Sequence, residues 1–369
     1  MKRLLLIGLL TVLAILLRAQ NIVPVFQEGQ EGYAGYRIPA IIKAADGSLI
    51  AFAEARKNGK GDTGNIDLVM RKSLDNGMTW GAMKVIWDDG NNTCGNPAPV
   101  LVGNKIILLA TWNLGKDKEQ EIERNCSEDT RRVYLIESED DGDTWTEPME
   151  ISSMIKSTNW GWYATGPCHA IVKQLKPNKD RIIVPCNHSE IDQNGQPASH
   201  SHLIYSDDGG KNWSLGAITK INGNESSVVE LSNGRLLLNM RRSSSADTVR
   251  YYALSTDGGR TFKIEGKQND LVEPRCQGSV INILKEDGKP SKTLVFSNPA
   301  NASKRENLSL RISKDNGKSW KYLVSVYMDQ SAYSDLVQLN SKRVGVLFEN
   351  GDGKQTYRRI SFVSIQIEK

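Results

Sequence analysis

The sequence is poor in the residues that build disulfide frameworks and metal sites. It has 5 cysteines and 4 histidines among 369 residues. The cysteines are Cys94, Cys126, Cys168, Cys186 and Cys276. An odd and low cysteine count implies no disulfide framework, and it leaves open a single bridge of unassigned pairing. Because cysteines and histidines show no metal-ligand spacing, the sequence predicts no metal and no cofactor.

Long apolar runs are missing after the N-terminus. Lys2 and Arg3 precede the apolar run 4–17, which is too short to span a bilayer comfortably and is typical of a secretory signal. We therefore expect residues 1–20 to be a signal peptide, with a retained anchor as the alternative. The mature chain 21–369 is expected to be one domain without a membrane span, exported to a periplasm or secreted.

Blocks of one charge sign and long helical periodicity are also missing. The net charge is +4 without a lysine- and arginine-rich run, so no nucleic-acid partner is expected. The chain instead repeats the pattern Ser-x-Asp-x-Gly-x-(Thr/Ser/Asn)-aromatic, here called the Asp box, at 73–80, 138–145, 206–213, 255–262 and 313–320. In each box the aspartate is expected to cap a turn and the glycine to take a positive φ. A repeated turn indicates scaffold, not catalysis.

Six predicted β-hairpins alternate with these boxes. Their turns fall at or near 46–47, 103–104, 177–178, 233–234, 287–288 and 340–341. With the strand that runs into each box, every unit has about four strands. Six such units predict an all-β fold, a six-bladed β-propeller with Asp-box turns, and the run 21–26 is its expected closing strand. A β-sandwich is the alternative.

Distances from the hairpin turns predict which side chains meet. Counting outward from the turns gives three pairs at one rim: Arg37 with Arg56, Glu225 with Arg241, and Tyr333 with Glu349. Arg305 opens the strand before the last box and is expected at the same rim. Clustered cations are costly unless an anion lies between them, and guanidinium groups bind a carboxylate bidentately. The sequence therefore predicts a ligand with a carboxylate.

With these residues laid out, the chain resembles the exo-α-sialidases (neuraminidases) of glycoside hydrolase family 33 over essentially its whole mature length. The segments that carry the resemblance are the five boxes, YRIP at 36–39, AFAEARKNGKGD at 51–62, NESSVVE at 224–230, NMR at 239–241, RENLSLR at 305–311, SAYSDL at 331–336 and LFEN at 347–350. Asp boxes alone occur in other propellers, but the ordered set of charged residues and tyrosine is specific. Cys168 stands where the family often has glycine.

The resemblance implies a role for each of these residues. Tyr333 is expected to be the nucleophile, Glu225 the base that polarises its hydroxyl, and Asp62 the acid/base catalyst. The sialic acid carboxylate is expected to bind the arginine triad formed by Arg37, Arg241 and Arg305. Arg56 is expected to contact the substituent on ring carbon 4, and Glu349 to steady Arg37.

A tyrosine nucleophile suits sialic acid for a chemical reason. This sugar carries a carboxylate on the carbon that is attacked, so an aspartate or glutamate nucleophile would meet a like charge, whereas a neutral phenol does not. Free tyrosine titrates near pH ~10, so it needs a neighbouring base. The implied reaction is hydrolysis with retention of anomeric configuration.

Three functions remain open from the sequence. The first is hydrolysis of terminal sialic acid from glycans, glycoproteins or gangliosides by a monomeric enzyme. The second is transfer to a sugar, or to an internal hydroxyl with an anhydro product; the chain's lack of room for an added lectin-like domain favours hydrolysis. The third is a non-catalytic carbohydrate-binding propeller. The linkage preference, and whether 159–163 (NWGWY), His169 and His188 contact ligand or belong to the core, also stay open.

Overall fold

The computed structural model describes residues 21–243, 246–353 and 355–368. The expected signal peptide, 1–20, lies outside the described residues. More than half of the described residues are in β-strands, and the helices are the short α1 (Glu119–Glu123) and α2 (Ser152–Ile155). No helix among the described residues is long and apolar enough to cross a membrane. The prediction of an all-β fold is confirmed.

The strands of the described residues are numbered in chain order. The first nine are β1 (Val23–Gln27), β2 (Gly35–Lys43), β3 (Leu49–Arg56), β4 (Ile66–Ser73), β5 (Lys84–Trp87), β6 (Thr93–Val102), β7 (Lys105–Asn113), β8 (Arg132–Ser138) and β9 (Met149–Glu150). The next nine are β10 (Trp160–Thr165), β11 (Ile171–Val172), β12 (Ile182–Ile191), β13 (Pro197–Ser206), β14 (Ser214–Ile218), β15 (Gly223–Glu230), β16 (Leu236–Arg242), β17 (Val249–Ser255) and β18 (Ile264–Val272). The last six are β19 (Ser279–Leu284), β20 (Pro290–Pro299), β21 (Glu306–Ser313), β22 (Lys321–Asn340), β23 (Arg343–Asp352) and β24 (Gln355–Gln366).

These strands form antiparallel meanders in four sheets. The first sheet runs from β2 to β9, and its two halves are joined by a single parallel pair between Ile66 and Thr93. The second contains β10–β14 and the third β15–β18. The fourth runs from β19 to β24 and ends on β1, because the long strand β22 pairs with β21 through its first half and with β23 through its second. The first strand, β1, thus pairs with the last, β24.

The six predicted hairpins are present, and the third differs in detail. The paired strands are β2–β3, β6–β7, β11–β12, β15–β16, β19–β20 and β22–β23. In the third hairpin only Ile171 and Val172 form the first strand, and β10 pairs with the other end of β12. Pro167 has no N–H to give to a ladder, so the strand is interrupted between β10 and β11. The sequence pattern did not predict this interruption.

The Asp boxes form the turns that their chemistry predicts. In the first box, Asp75 accepts hydrogen bonds from Ser73 Oγ (2.8 Å), from the Thr79 backbone N–H (2.8 Å) and from Thr79 Oγ1 (2.6 Å). Gly77 has a φ of 87°. The hydrogen bonds from Thr79 lower the pKa of Asp75 to about 2. The terminal Trp80 packs edge-on against Phe362, with ring centroids 5.6 Å apart.

The hydrophobic core lies between successive sheets. Ile107 of β7, for example, belongs to the same buried cluster as Val184 of β12 and Ile204 of β13. Because the aliphatic residues occupy the middle of the strands, the strand ends at one rim are left to polar and charged side chains. That rim carries the candidate site.

Candidate active site

The first strands of several hairpins bulge at the same end. Register shifts occur in the segments 37–40, 95–98, 223–226 and 331–334. A bulge bends its strand and re-aims a side chain. Glu225 and Tyr333 lie inside two of these bulges, and Ile38 and Asn96, with φ of 59° and 52°, lie inside the other two. The bulges therefore explain how strand residues come to point into a common cavity.

The cavity has a volume of about 240 Å³. Seven of the eight residues singled out from the sequence line it: Arg37, Arg56, Asp62, Glu225, Arg241, Arg305 and Tyr333. The eighth, Glu349, lies directly behind Arg37 and is fully buried. The structure thus brings the whole set together, although the residues are up to 312 positions apart in the chain.

Tyr333 lies at the centre of a hydrogen-bonded trio. Its hydroxyl donates to Glu225 Oε1 and accepts from Arg241 Nη1 at 3.1 Å. Arg241 Nη1 also lies 2.5 Å from Glu225 Oε2. Burial and the charge of Glu225 raise the pKa of Tyr333 well above its ordinary value, while the neighbouring arginines oppose that rise. The phenol is therefore neutral at rest, next to a base that can take its proton.

Arg37 is held from behind by Glu349. Its Nε lies 3.0 Å from Glu349 Oε1, and the same carboxylate accepts from the backbone N–H groups of Ile38 (2.9 Å) and Tyr333 (3.1 Å). Burial disfavours the charged form of Arg37, but the Glu349 carboxylate outweighs this and raises the pKa of Arg37. One carboxylate thus fixes both a guanidinium of the cavity and the backbone of the central tyrosine.

Arg56 organises the loop that carries Asp62. Its Nη1 donates to the carbonyl oxygens of Lys60 (2.6 Å) and Gly61 (2.8 Å), and its Nη2 lies 2.9 Å from Asp62 Oδ1. A second carboxylate, Glu54, binds Arg56 at 2.5 Å. Burial opposes ionisation of Asp62, but Arg56 and Arg37 more than offset this and lower the pKa of Asp62. Arg56 is itself 2% exposed, and its hydrogen-bond and ion-pair partners are Glu54 and the loop residues Lys60, Gly61 and Asp62.

Arg305 differs from the other cavity arginines in its partners. Its Nη1 donates to Tyr357 Oη at 2.7 Å and its Nη2 to the Arg275 carbonyl at 3.0 Å. Its guanidinium also lies over the Tyr333 ring, 5.5 Å from the centroid. Within the described ranges no carboxylate forms an ion pair with Arg305, so its charge is available to an anion in the cavity.

Sequence reasoning missed several cavity residues. Arg131 is 1% exposed, donates to Asn113 Oδ1 at 2.9 Å and lies over the Trp162 ring at 3.9 Å. Glu119 of α1 faces Asp62, and burial together with the Asp62 charge raises the pKa of Glu119 to about 7. No repeat or hairpin count marks these positions, because they lie on an insertion between β7 and β8. Glu54, in contrast, stands two residues before Arg56, and strand alternation puts both on one face.

The residues left open by the sequence divide between site and core. Trp162 lines the cavity, whereas Trp160 stacks on His188 with ring centroids 3.4 Å apart, and both are buried. His169 does not line this cavity; its Nδ1 lies 2.7 Å from Asp335 Oδ1. Burial disfavours protonation of His169, but Asp335 outweighs it and raises the pKa of His169.

The cysteines form no bridge. All five are described and are free thiols, and only Cys126 is exposed. Cys168 has a φ of 143°, in the region that favours glycine. No group of three or more potential metal ligands occurs among the residues that the structure describes.

Comparisons with known proteins agree with this geometry. The BNR repeat-like domain model matches residues 47–346. A sialidase of Bacteroides fragilis is 28% identical over 361 residues, which cover 91% of this chain and 64% of the relative. The chain therefore spans somewhat less than two thirds of that relative's length.

Two solved structures are similar in fold. The Hadza microbial sialidase Hz136 superposes with a TM-score of 0.79 at 27% identity, covering 94% of this chain and 68% of the other. A leech intramolecular trans-sialidase, complexed with 2,7-anhydro-Neu5Ac, has a TM-score of 0.77 at 18% identity, covering 95% and 71%. At that identity the second likeness supports the fold alone. The architecture is of the β-propeller class, and the chain belongs to the sialidase family with BNR repeats.

Proposed function

We propose that this protein is a retaining exo-α-sialidase that hydrolyses terminal sialic acid through a covalent tyrosyl intermediate. The observation that carries the proposal is the contact of the Tyr333 hydroxyl with the Glu225 carboxylate, next to the guanidinium of Arg241. A neutral phenol paired with a base, among cations, is an activated nucleophile for a sugar that bears its own anion.

Substrate binding follows from the charges of the cavity. The guanidinium groups of Arg37, Arg241 and Arg305 grip the carboxylate on the anomeric carbon. Glu349 and Glu225 already neutralise the first two, so Arg305 supplies the uncompensated charge. This arrangement orients the anomeric carbon toward Tyr333, whose ring lies 5.1 Å from the Arg37 guanidinium. The contacts to the carboxylate thus orient the reacting carbon for attack.

Four proton transfers, two in each displacement, complete the proposed reaction. Binding of the substrate carboxylate to Arg37 offsets part of the charge that lowers the pKa of Asp62, so Asp62 enters the reaction protonated. Tyr333 Oη then attacks the anomeric carbon while Glu225 takes its proton, and Asp62 protonates the leaving oxygen as the glycosidic bond breaks. Asp62 then removes a proton from water, which displaces the tyrosine and releases the sugar, and Glu225 returns the proton to Tyr333. Two displacements at the same carbon give net retention. Because the side chain of Asp62 is 47% exposed, its carboxyl has access to both leaving group and water.

We further propose that the four sheets are six four-stranded blades around one axis. The single parallel pair between β4 and β6 and the continuous strand β22 support this, because each marks a boundary between two antiparallel groups of four. The pairing of β1 with β24 supports closure by the two ends of the chain. The proposal also includes export directed by a signal peptide at 1–20 and a monomeric state. The proposed substrates are glycoproteins, gangliosides or free sialylated glycans.

The decisive experiment follows the anomer by proton NMR. Wild-type protein is mixed with 3′-sialyllactose and spectra are recorded during the first turnovers. Hydrolysis with retention releases the α-anomer of sialic acid first. An anhydro sugar would instead establish intramolecular transfer, and a β-anomer as first product would refute the tyrosyl intermediate. No cleavage, together with measurable binding, would favour the non-catalytic alternative.

A further inference from the structure

An arginine outside the predicted set, Arg275, stands at the mouth of the candidate active site. Its side chain is exposed and lines the cavity, although its neighbours Glu273, Pro274, Cys276 and Gln277 are all buried. The residue has a φ of 55°, a backbone conformation that non-glycine residues seldom adopt. Backbone conformations of this kind are frequent at functional sites.

The backbone around Arg275 is fixed by buried charges. Arg250 Nη1 donates to the Cys276 carbonyl at 2.6 Å and lies 3.1 Å from Glu273 Oε2. The carbonyl of Arg275 itself accepts from Arg305 Nη2 at 3.0 Å. The backbone of this segment is therefore tied to an arginine of the proposed carboxylate triad.

The guanidinium of Arg275 is surrounded by more cations than anions. Among the residues that the structure describes, no carboxylate forms an ion pair with its guanidinium. Burial and the nearby cations Arg241, Arg242 and Arg305 lower the pKa of Arg275, and the Glu273 carboxylate opposes them only in part; an arginine stays charged near neutral pH all the same. Cations held together in this way are destabilised unless an anion joins them. The surroundings therefore favour a bound anion beside Arg275.

Arg275 also borders a second, shallower groove of about 340 Å³. The active-site cavity and this groove share Glu123, Asn224, Arg241 and Arg275 as lining residues. The remaining lining of the groove is mainly hydroxyl and amide groups, such as Ser199 and Asn222, which suit a sugar. The two spaces therefore lie side by side, with Arg275 on their common border.

The structure of a sialoside indicates which part of the substrate would lie next to Arg275. The carboxylate and the glycosidic oxygen of a sialoside are attached to the same carbon. A cation on the solvent side of the carboxylate triad therefore lies near the leaving group, which an exo-acting enzyme must leave outside the pocket. This step rests on the proposed function of the site.

We propose that Arg275 and the adjoining groove form a subsite for an anionic group on the sugar that follows the cleaved sialic acid. The shared chemistry is a second carboxylate or a sulfate ester, each of which accepts two hydrogen bonds from one guanidinium. Arg275 is then a specificity-determining residue that favours doubly anionic substrates. It takes no part in bond making or breaking.

The test compares kcat/KM for three substrates in wild type, Arg275→Gln and Arg275→Lys. The substrates are 3′-sialyllactose, α2,8-disialyllactose and a 3′-sialyllactose sulfated on its galactose. Arg275→Gln should lower kcat/KM for a doubly anionic substrate about three- to tenfold more than for 3′-sialyllactose, as expected for one partly exposed charged hydrogen bond. Arg275→Lys should keep part of the preference. The substrate that responds identifies carboxylate or sulfate as the natural anion.

The matched control is Arg260→Gln, which removes an exposed arginine from the fourth Asp box and should change none of the ratios. Equal ratios in wild type and Arg275→Gln for both doubly anionic substrates would overturn the subsite while the sialidase proposal stands. Failure of the wild type to cleave any of the three substrates would refute the proposed function itself, and the subsite with it.

Discussion

Glu349 offers a sharp test of how the site is held together. The change Glu349→Gln keeps the shape of the side chain and removes its charge. The carboxylate is fully buried and accepts four hydrogen bonds, from Arg37 Nε (3.0 Å), Arg37 Nη2 (3.4 Å), Ile38 N (2.9 Å) and Tyr333 N (3.1 Å). An amide has one oxygen to accept with, and its NH₂ faces donors. The variant therefore loses about half of these contacts and leaves Arg37 short of a counter-charge.

The size of the effect follows from the burial of the pair. Breaking a buried ion pair from one side costs about 3–5 kcal/mol. Arg37 keeps a second carboxylate, Asp62, at 3.4 Å, which places the expected loss near the lower bound, about 3 kcal/mol. In a chain of this size such a loss lowers Tm by roughly 4 °C. Because Arg37 and the Tyr333 backbone both shift, kcat/KM for 3′-sialyllactose should also fall about tenfold to hundredfold.

The control is a second buried carboxylate away from the cavity. Glu230 accepts from the buried Lys173 ammonium and from the backbone N–H groups of Gln174 (2.5 Å) and Leu175 (3.2 Å). Glu230→Gln should destabilise to a similar degree and leave kcat/KM unchanged. Thermal unfolding and steady-state kinetics of both variants decide the matter. A Glu349→Gln enzyme with wild-type Tm and kinetics, or an equal loss of activity in Glu230→Gln, would refute the assigned role.

Three further predictions address the chemistry and the pH dependence. Tyr333→Phe should reduce kcat/KM by about a thousandfold or more with an unchanged circular dichroism spectrum, since only the hydroxyl is lost; wild-type-like rates would exclude it as nucleophile. Asp62→Ala should lower kcat/KM for 3′-sialyllactose by about 10²–10⁴-fold, but much less for an aryl sialoside, whose good leaving group needs no proton. Equal losses for both substrates would contradict the role of Asp62 as general acid. Burial lowers the pKa of His202 to about 3, so the unfolded chain binds a proton at a higher pH than the folded chain does, and the free energy of unfolding falls as pH drops from about 6.5 toward 3. Denaturation at pH 7 and at pH 4 should therefore show a smaller difference in stability between wild type and His202→Asn at pH 4. An equal difference at both pH values would contradict a neutral, buried His202.

Turn chemistry explains how much of the fold was predictable. Residue pairs such as Asp46-Gly47 and Asn233-Gly234 allow few conformations, so hairpins could be placed from local sequence alone. The third hairpin was incompletely predicted because its interruption depends on Pro167 and on the left-handed backbone of Cys168, whose effect on pairing appears only in the folded sheet. Which sheets pack against each other is likewise set by the whole chain.

The candidate site was predictable where it lies on hairpins. Counting equal distances from the turn predicted that Glu225 lies next to Arg241, and the two side chains are indeed in contact, with 2.5 Å between Arg241 Nη1 and Glu225 Oε2. The count was less accurate for Arg37, which lies opposite Glu54, while Gly35 lies opposite Arg56. The bulge between Arg37 and Ala40 shifts the strand register there, and no residue pattern in the sequence predicted this bulge.

Residues contributed by insertions and by the last strand escaped prediction. Glu119 reaches the cavity from α1, whose position depends on tertiary contacts. Tyr357 comes from β24 and lies under Arg37, with 4.1 Å between the guanidinium and the ring centroid. Arg275 gave no signal either, since a single charged residue in a loop is ordinary until its neighbours are known to be arginines.

Trapping the covalent intermediate tests the central proposal most directly. A sialosyl fluoride with a second fluorine next to the anomeric carbon reacts with the nucleophile and then hydrolyses slowly, because fluorine destabilises the cationic transition state. The protein is incubated with this reagent, digested and analysed by mass spectrometry. The expected result is one added sugar on the peptide that contains Tyr333, and no adduct in Tyr333→Phe. A label on Glu225 or Asp62, or turnover without any adduct, would contradict the proposed mechanism.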